Sequence, residues 1–412
     1  MMIRLFMMAL LTVSATAQAM QPVNPPGLLP TEIARQLLEQ DPAVASARAG
    51  LDVAQQEAGI LDQSPHEWIA RTSGQQRRLD SGSRYSEWSV GIERAIRLPG
   101  KAEADRKLGK ATVEESKARY GEALHESARE LMALWVAWLG AERAHELAQV
   151  SLQSTQASVS AVEKRVRAGD ASKLDLGIAR AELAEQRRMD NDAKTQAAAT
   201  WARLSTRFPG VKRQAMALPM PSEIGGDAAA WRERILEQSD EFKIAQLQLK
   251  KAQAHADRAR ADKIPDPTLG GYTASEVGGR ERIIGVMVSV PIPGGARNAR
   301  NAKAIAAVVV SSREVELKQR ELETQIANEI ATAQGTYASL QIANEGAGFM
   351  LENAALMQRA YALGEADLQA MLFSLRQQTA AANSALQAQA SALQAYYGLL
   401  IDAHLVWDMD HD

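Results

Sequence analysis

Ser86-Glu87-Trp88-Ser89-Val90-Gly91-Ile92-Glu93 alternates strictly and runs, a few residues on, into Leu98-Pro99-Gly100-Lys101-Ala102. The alternation puts Trp88, Val90 and Ile92 on one face of a strand and Glu87, Ser89 and Glu93 on the other. About 194 residues later the pattern returns. Arg282 to Val290 alternates, with Ile284, Val286, Val288 and Val290 on one face and Ile283, Gly285, Met287 and Ser289 on the other. Ile292-Pro293-Gly294-Gly295-Ala296 then matches the first Pro-Gly exit. Both segments are preceded by a shorter strand pattern, about 66–78 and about 267–275, and by turn clusters at Leu79 to Ser83 and Glu276 to Gly279.

Working outward, the repeat extends over most of the chain. Asp41 to Pro65 reads like Glu241 to Pro265, and Arg167-Ala168-Gly169-Asp170 like Ala362-Leu363-Gly364-Glu365. Each unit reads helix, two strands, long helix, turn, helix. The first helices are expected over about 31–63, with Thr31 as N-cap, and about 231–263. The long ones run from Pro99-Gly100 to Gly169 and from Gly295 to Gly364, roughly 100 Å each at 1.5 Å per residue. In the second, Ile326, Ile330, Ala333, Tyr337, Leu340, Asn344, Ala347, Leu351 and Ala354 keep a 4-3 rhythm. Leu124, Ala128, Leu131, Trp135 and Trp138 keep it in the first, the mark of a coiled-coil seam. The last helices of the units are expected at 173–206 and 368–402. The first and last helices of a unit together match its long helix in length, as if stacked end to end beside it. The expected division is 1–19 leader, 20–208 first repeat, 209–230 linker, 231–403 second repeat and 404–412 solvated acidic tail. The strands fall at about 66–97 and 267–292, and the tip turns at about 167–172 and 362–367.

Composition excludes much. The 412 residues carry 46% hydrophobic but only 5% aromatic residues, and Ala supplies much of the apolar share, so long helices fit better than a thick globular core. A formal net charge of −3 gives no pull toward nucleic acid. With no Cys there is no disulfide frame, no thiolate metal site and no lipidated N-terminal Cys. Met1 to Arg4 is basic, Leu5 to Val13 apolar but too short to span a bilayer, and Ala17-Gln18-Ala19 is a cleavage pattern, so export with processing after Ala19 is expected. No catalytic constellation, cofactor motif or metal-ligand set is expected. His125 and His145 lie too far apart on one helix to share an ion, and the runs Arg77-Arg78 and Lys250-Lys251 read as solvated.

Four strands cannot close a barrel, and open sheet edges are not tolerated in lipid, so partner chains are needed. The twofold repeat, the Pro-Gly exits and the two Gly turns, in this order, resemble the TolC family of outer-membrane efflux proteins, the exit ducts of tripartite resistance-nodulation-division type pumps. The relatively short chain resembles its heavy-metal branch. The resemblance implies a mainly α homotrimer with a 12-stranded β-barrel in outer-membrane lipid and a periplasmic α-helical barrel. It also implies a passive duct for metal cations or small toxic compounds, served by an inner-membrane pump through a periplasmic adaptor. Arg167, Ala168, Gly169 and Asp170, with Leu363, Gly364 and Glu365, sit where the family's tips meet the adaptor. On the residues alone they are equally helix C-caps. Asp175 and Tyr361 sit where the family has a gate bond that shuts the periplasmic end. Asp175 read by itself favours the start of its helix through the dipole. Gln369 and Ala370 stand where several members carry acidic residues, which departs from an acidic ring at the constriction. Trp88, Val90, Ile92, Ile284, Val286 and Val288 are expected to face lipid. The rival reading is a periplasmic coiled-coil structural protein or adaptor without a pore.

Overall fold

The computed structural model describes residues 25–214 and 216–407. The leader Met1 to Ala19, with its Ala17 and Ala19 cleavage pattern, and the tail Asp408 to Asp412 lie outside the described residues. The elements are α1 (Thr31–Glu39), α2 (Pro42–Asp62), β1 (Ile69–Arg78), β2 (Arg84–Ala95), α3 (Pro99–Ala168) and α4 (Lys173–Arg207), followed by α5 (Ala228–Gln238), α6 (Asp240–Ala261), β3 (Thr268–Glu276), β4 (Glu281–Ser289), α7 (Gly295–Leu363) and α8 (Leu368–Asp402). No helix among them is long and apolar enough to cross a membrane.

Each unit repeats one plan. The long helices have 70 and 69 residues. α2 and α4 both pack along α3, and α6 and α8 along α7, so the half-length helices do lie beside the long ones. α3 also packs on α6 and α8, which joins the two units. The first helix of each unit is broken, contrary to the continuous 31–63 and 231–263. Pro42 lacks the N–H that would continue α1, and Asp41 caps the restart by accepting from Ala43 N at 2.9 Å. Ser239 ends α5 and caps α6 in the same way, accepting from Phe242 N. Thr31 is the first helical residue rather than the cap. Pro30, extended and without a side-chain hydrogen bond, holds the cap position, and its carbonyl accepts from Ala34 N.

The core is a belt around the middle of α3. Leu124, Ala128, Leu131, Trp135 and Trp138 are buried there as the seam requires, with Leu38, Phe208, Leu393 and Tyr397. Trp135 Nε1 donates to Gly27 O at 2.7 Å and Tyr397 Oη to Pro26 O at 2.7 Å. The segment expected to link the repeats, 209–230, packs parts of itself on this belt. Val211 and Leu218 are buried, Gln389 Nε2 donates to the carbonyls of Leu218 and Pro219, and Arg213 pairs with Glu142. The chain end corrects the expected tail as well. Leu405, Val406 and Trp407 are buried, and Trp407 Nε1 donates to Leu29 O at 2.8 Å.

The seam of α7 is only half covered. Ile326, Ile330, Ala333, Leu340 and Ala354 are buried, but Asn344 and Leu351 are exposed, as are Ile342, Phe349 and Leu356. Three of the four basic residues read as solvated also make ion pairs, and Arg77 and Lys250 stay exposed while doing so. Lys250 meets Glu114 at 2.5 Å, Lys251 meets Glu115 at 3.0 Å, and Arg77 meets Glu87 at 3.0 Å, because each faces a carboxylate on a packed neighbour.

Candidate functional site

The four strands form one antiparallel sheet in the order β1-β2-β3-β4, so β2–β3 pairing joins the repeats. Directly paired residues share a face. The register sets Thr72, Val90, Thr273 and Ile284 in one row and Ala70, Ile92, Gly271 and Val286 in the next. Trp88 lies opposite Ser275, and Val288 opposite Leu269. Trp88, Val90, Ile92, Ile284, Val286 and Val288 are thus on one face of a single sheet, and all six are exposed in the single chain, Ile284 at 90%. Alternation within one strand could not show that the faces from two repeats coincide; the register does.

The opposite face is polar and cross-linked. Arg71 reaches Glu93 at 2.6 Å, Gln75 donates to Glu87 at 2.8 Å, Arg77 bridges to Glu276 at 3.2 Å, and Ser73 and Ser89 share a bond of 2.8 Å. Tyr272 lies on this face over Gly285, where an added Cβ would meet its ring at 2.5 Å. Glycine is needed there for close approach.

Beneath the sheet a network that no motif announced ties the strands to the helices. Asp266 accepts from Leu98 N at 3.1 Å and meets Lys101 at 2.9 Å and His66 at 2.8 Å. Arg97 and Arg258 converge on Asp105 at 3.2 and 2.5 Å, and Arg97 also donates to the carbonyls of Leu61 and Asp62. Burial alone would raise Asp266, but hydrogen bonds from His66, Lys101 and the Leu98 N–H hold it below the usual aspartate range. The available signal was Lys101 inside the Pro-Gly exit and Asp266 between Pro265 and Pro267.

At the far end the helices turn on glycine. Gly169 has φ 85° and Gly364 φ 78°. Asp170 N donates to Arg165 O at 2.8 Å and Glu365 N to Ala360 O at 2.9 Å, the same C-terminal motif twice. Arg167, Ala168 and Leu363 lie in the last turns of α3 and α7, and Leu363 is exposed. Asp175 completes a capping box. It accepts from Ser172 N and Oγ at 3.0 and 2.8 Å, and those bonds hold its carboxyl below the usual range. Tyr361 lies under the Arg165 guanidinium, 5.0 Å from the ring centre. Among the described residues no hydrogen bond joins Asp175 to Tyr361 within one chain. The N-cap of α8 is Asp367, which accepts from Ala370 N at 2.7 Å.

Residues 33–207 match the model of the family described as outer membrane efflux protein. Among solved structures the fold matches a membrane protein from Pseudomonas aeruginosa at 17% identity, covering 92% of this chain and 91% of that one, with a TM-score of 0.75. It matches the CmeC outer membrane channel of Campylobacter jejuni at 15% identity, covering 91% and 85%, with a TM-score of 0.72. It also matches the open state of the MtrE outer membrane channel of Neisseria gonorrhoeae at 18% identity, covering 92% and 89%, with a TM-score of 0.71. No curated protein matches. Residues 33–207 thus resemble the outer membrane efflux protein family, and the chain as a whole shares the fold of the CmeC and MtrE channels. The proteins of this family are channels, not enzymes.

Proposed function

We propose that this chain is the exit duct of a tripartite efflux system: a homotrimer whose sheets close into a 12-stranded barrel in the outer membrane and whose helices continue as a periplasmic tunnel. The observation that carries this reading is the sheet. It has four strands, an unpaired edge on β1 and on β4, one face whose middle rows are apolar with Arg94 and Arg282 at its two ends, and one face of linked charges. A bilayer accepts no open edge, so the edges of neighbouring copies must pair. A face carrying Arg71, Arg77, Glu87 and Glu93 cannot lie against hydrocarbon and turns inward, leaving Trp88, Val90, Ile92, Ile284, Val286 and Val288 to lipid. The half-covered seam of α7 then finds its missing neighbour in the next protomer. A coiled-coil protein or adaptor without a pore has no use for such a sheet.

At the periplasmic end, the turns at Gly169 and Gly364 present Arg167, Ala168, Asp170, Leu363 and Glu365 to an adaptor that leads to an inner-membrane pump. Asp175 of one protomer and Tyr361 of the next form the closing bond, since within a chain each is held by its own neighbour. The leader ending at Ala19 exports the chain, and no Cys lipidates it. Cargo is chosen by the pump, with metal cations or small toxic compounds as the classes this short chain favours.

The test is reconstitution. Detergent-solubilised protein should have three times the chain mass by light scattering and should conduct in planar bilayers. A stable monomer without conductance would overturn the reading.

A further inference from the structure

Directly after Gly121, α3 carries a group that the sheet and the tips do not use. Glu122, His125 and Glu126 fall at i, i+3 and i+4, so they share one helix face. One ligand atom of each lies within 4.8 Å of the other two. This is the spacing at which a histidine nitrogen and two carboxylate oxygens close on one small ion.

Two further carboxylates abut the group from the second repeat. Asp402, near the end of α8, accepts from His125 Nε2 at 3.1 Å, and Asp240 opens α6, which packs on α3. Asp402 is 5% and Asp240 7% exposed, and each keeps one oxygen without a hydrogen-bond partner. The nearby cations are already committed: Arg129 to Asp402 and Glu329, Lys243 to Asp240, and Lys318 to Glu241. His404 stacks on His125 at 5.8 Å and holds its ring plane. The belt therefore holds more buried negative charge than its side chains neutralise.

We infer that Glu122, His125 and Glu126 form a binding site for one divalent transition-metal ion, with Asp402 as the carboxylate that orients the histidine. With Nε2 committed to Asp402, Nδ1 is the nitrogen that faces the ion, an arrangement that fixes tautomer and ring and raises ligand basicity. An imidazole with two carboxylates suits zinc or its first-row neighbours and disfavours magnesium and calcium, which prefer all-oxygen sites. Through His125–Asp402 the ion would tie α3 of the first repeat to α8 of the second. The site stands apart from the duct, and its readout is ion binding rather than conductance.

Full-length protein in detergent is stripped with EDTA and titrated with Zn²⁺ by calorimetry and equilibrium dialysis, with Mg²⁺ in parallel. One Zn²⁺ per chain is expected, with a rise in melting temperature and no response to Mg²⁺. His125→Gln should abolish stoichiometric binding. Glu126→Gln, at an exposed position that leaves the belt packed, should weaken it about tenfold or more, and Asp402→Asn about 10–100-fold. Absence of stoichiometric Zn²⁺ on the wild type would overturn the site. So would unchanged affinity in folded Glu126→Gln, which would place any bound ion elsewhere.

Discussion

Asp41 shows how much a single side chain arranges. Its Oδ1 caps α2, and its Oδ2 takes Ser127 Oγ from α3 and Arg207 Nη2 from the end of α4, so three helices meet on one carboxylate. Burial alone would raise its pKa, but the hydrogen bonds from Arg207, Ser127 and Ala43 N–H outweigh it and hold the group below the usual aspartate range. A depressed folded pKa means the carboxylate stabilises the fold above the unfolded value of about 3.9, and the contribution disappears as pH falls through the lower folded value. Asp41→Asn should therefore cost about 1.5–3 kcal/mol at pH 7. The gap to wild type should close toward pH 3. Denaturant titrations at both pH values check this, and a gap independent of pH would mean that the charge is not what matters. The capping role went unread in a helix expected to run unbroken over about 31–63. The bonds to Ser127 and Arg207, 86 and 166 residues away, were not legible, because no local pattern encodes them.

At the scale of elements, the sheet separates the two kinds of knowledge. Alternation in β2 and β4 followed from the order of residues, since successive side chains in a strand point oppositely. That both apolar faces point the same way required β3, whose Gly271 and Thr273 align Ile92 with Val286 and Val90 with Ile284. Arg at Ile284 or Val286 should cost about 2–4 kcal/mol near the bilayer midplane. Arg at Ser89, on the polar face, should be tolerated. Trimer yield from outer membranes and heat resistance in detergent measure the difference, and equal damage from both faces would exclude a membrane barrel. The helices show the complementary case. Gly169 and Gly364 end α3 and α7 where a left-handed residue is required, so those ends were legible to within a residue. The break at 40–41 and the role of Pro30 at the start of α1 turned on single-residue capping choices.

At the scale of the molecule, the proposed gate pair, Asp175 and Tyr361, belongs between copies. Asp175 is bonded within its own chain to Ser172, and the ring of Tyr361 lies under the Arg165 guanidinium. A bond between protomers must compete with both. Hydrogen bonds to charged groups are worth about 1.5–3 kcal/mol, enough to bias a closed state that an adaptor can pull open. Asp175→Asn with Tyr361→Phe should leave the trimer intact and raise resting single-channel conductance. Wild-type conductance from an intact double-mutant trimer would remove the pair from the gate.

Residue order alone determined the twofold plan, the four strands, the two long helices and their glycine ends. Each of these is a short-range consequence: a period of two or of about 3.6, a ring that removes an N–H, a backbone angle that glycine tolerates. Only the tertiary structure decided that parts of 209–230 and residues 405–407 complete the core belt and that Lys101, Asp266 and His66 bind strands to helices. It also brought Asp402 to His125 across 277 residues. Those contacts exist because two repeats fold onto one another, and burial then makes each polar group seek whichever partner the packing has placed beside it.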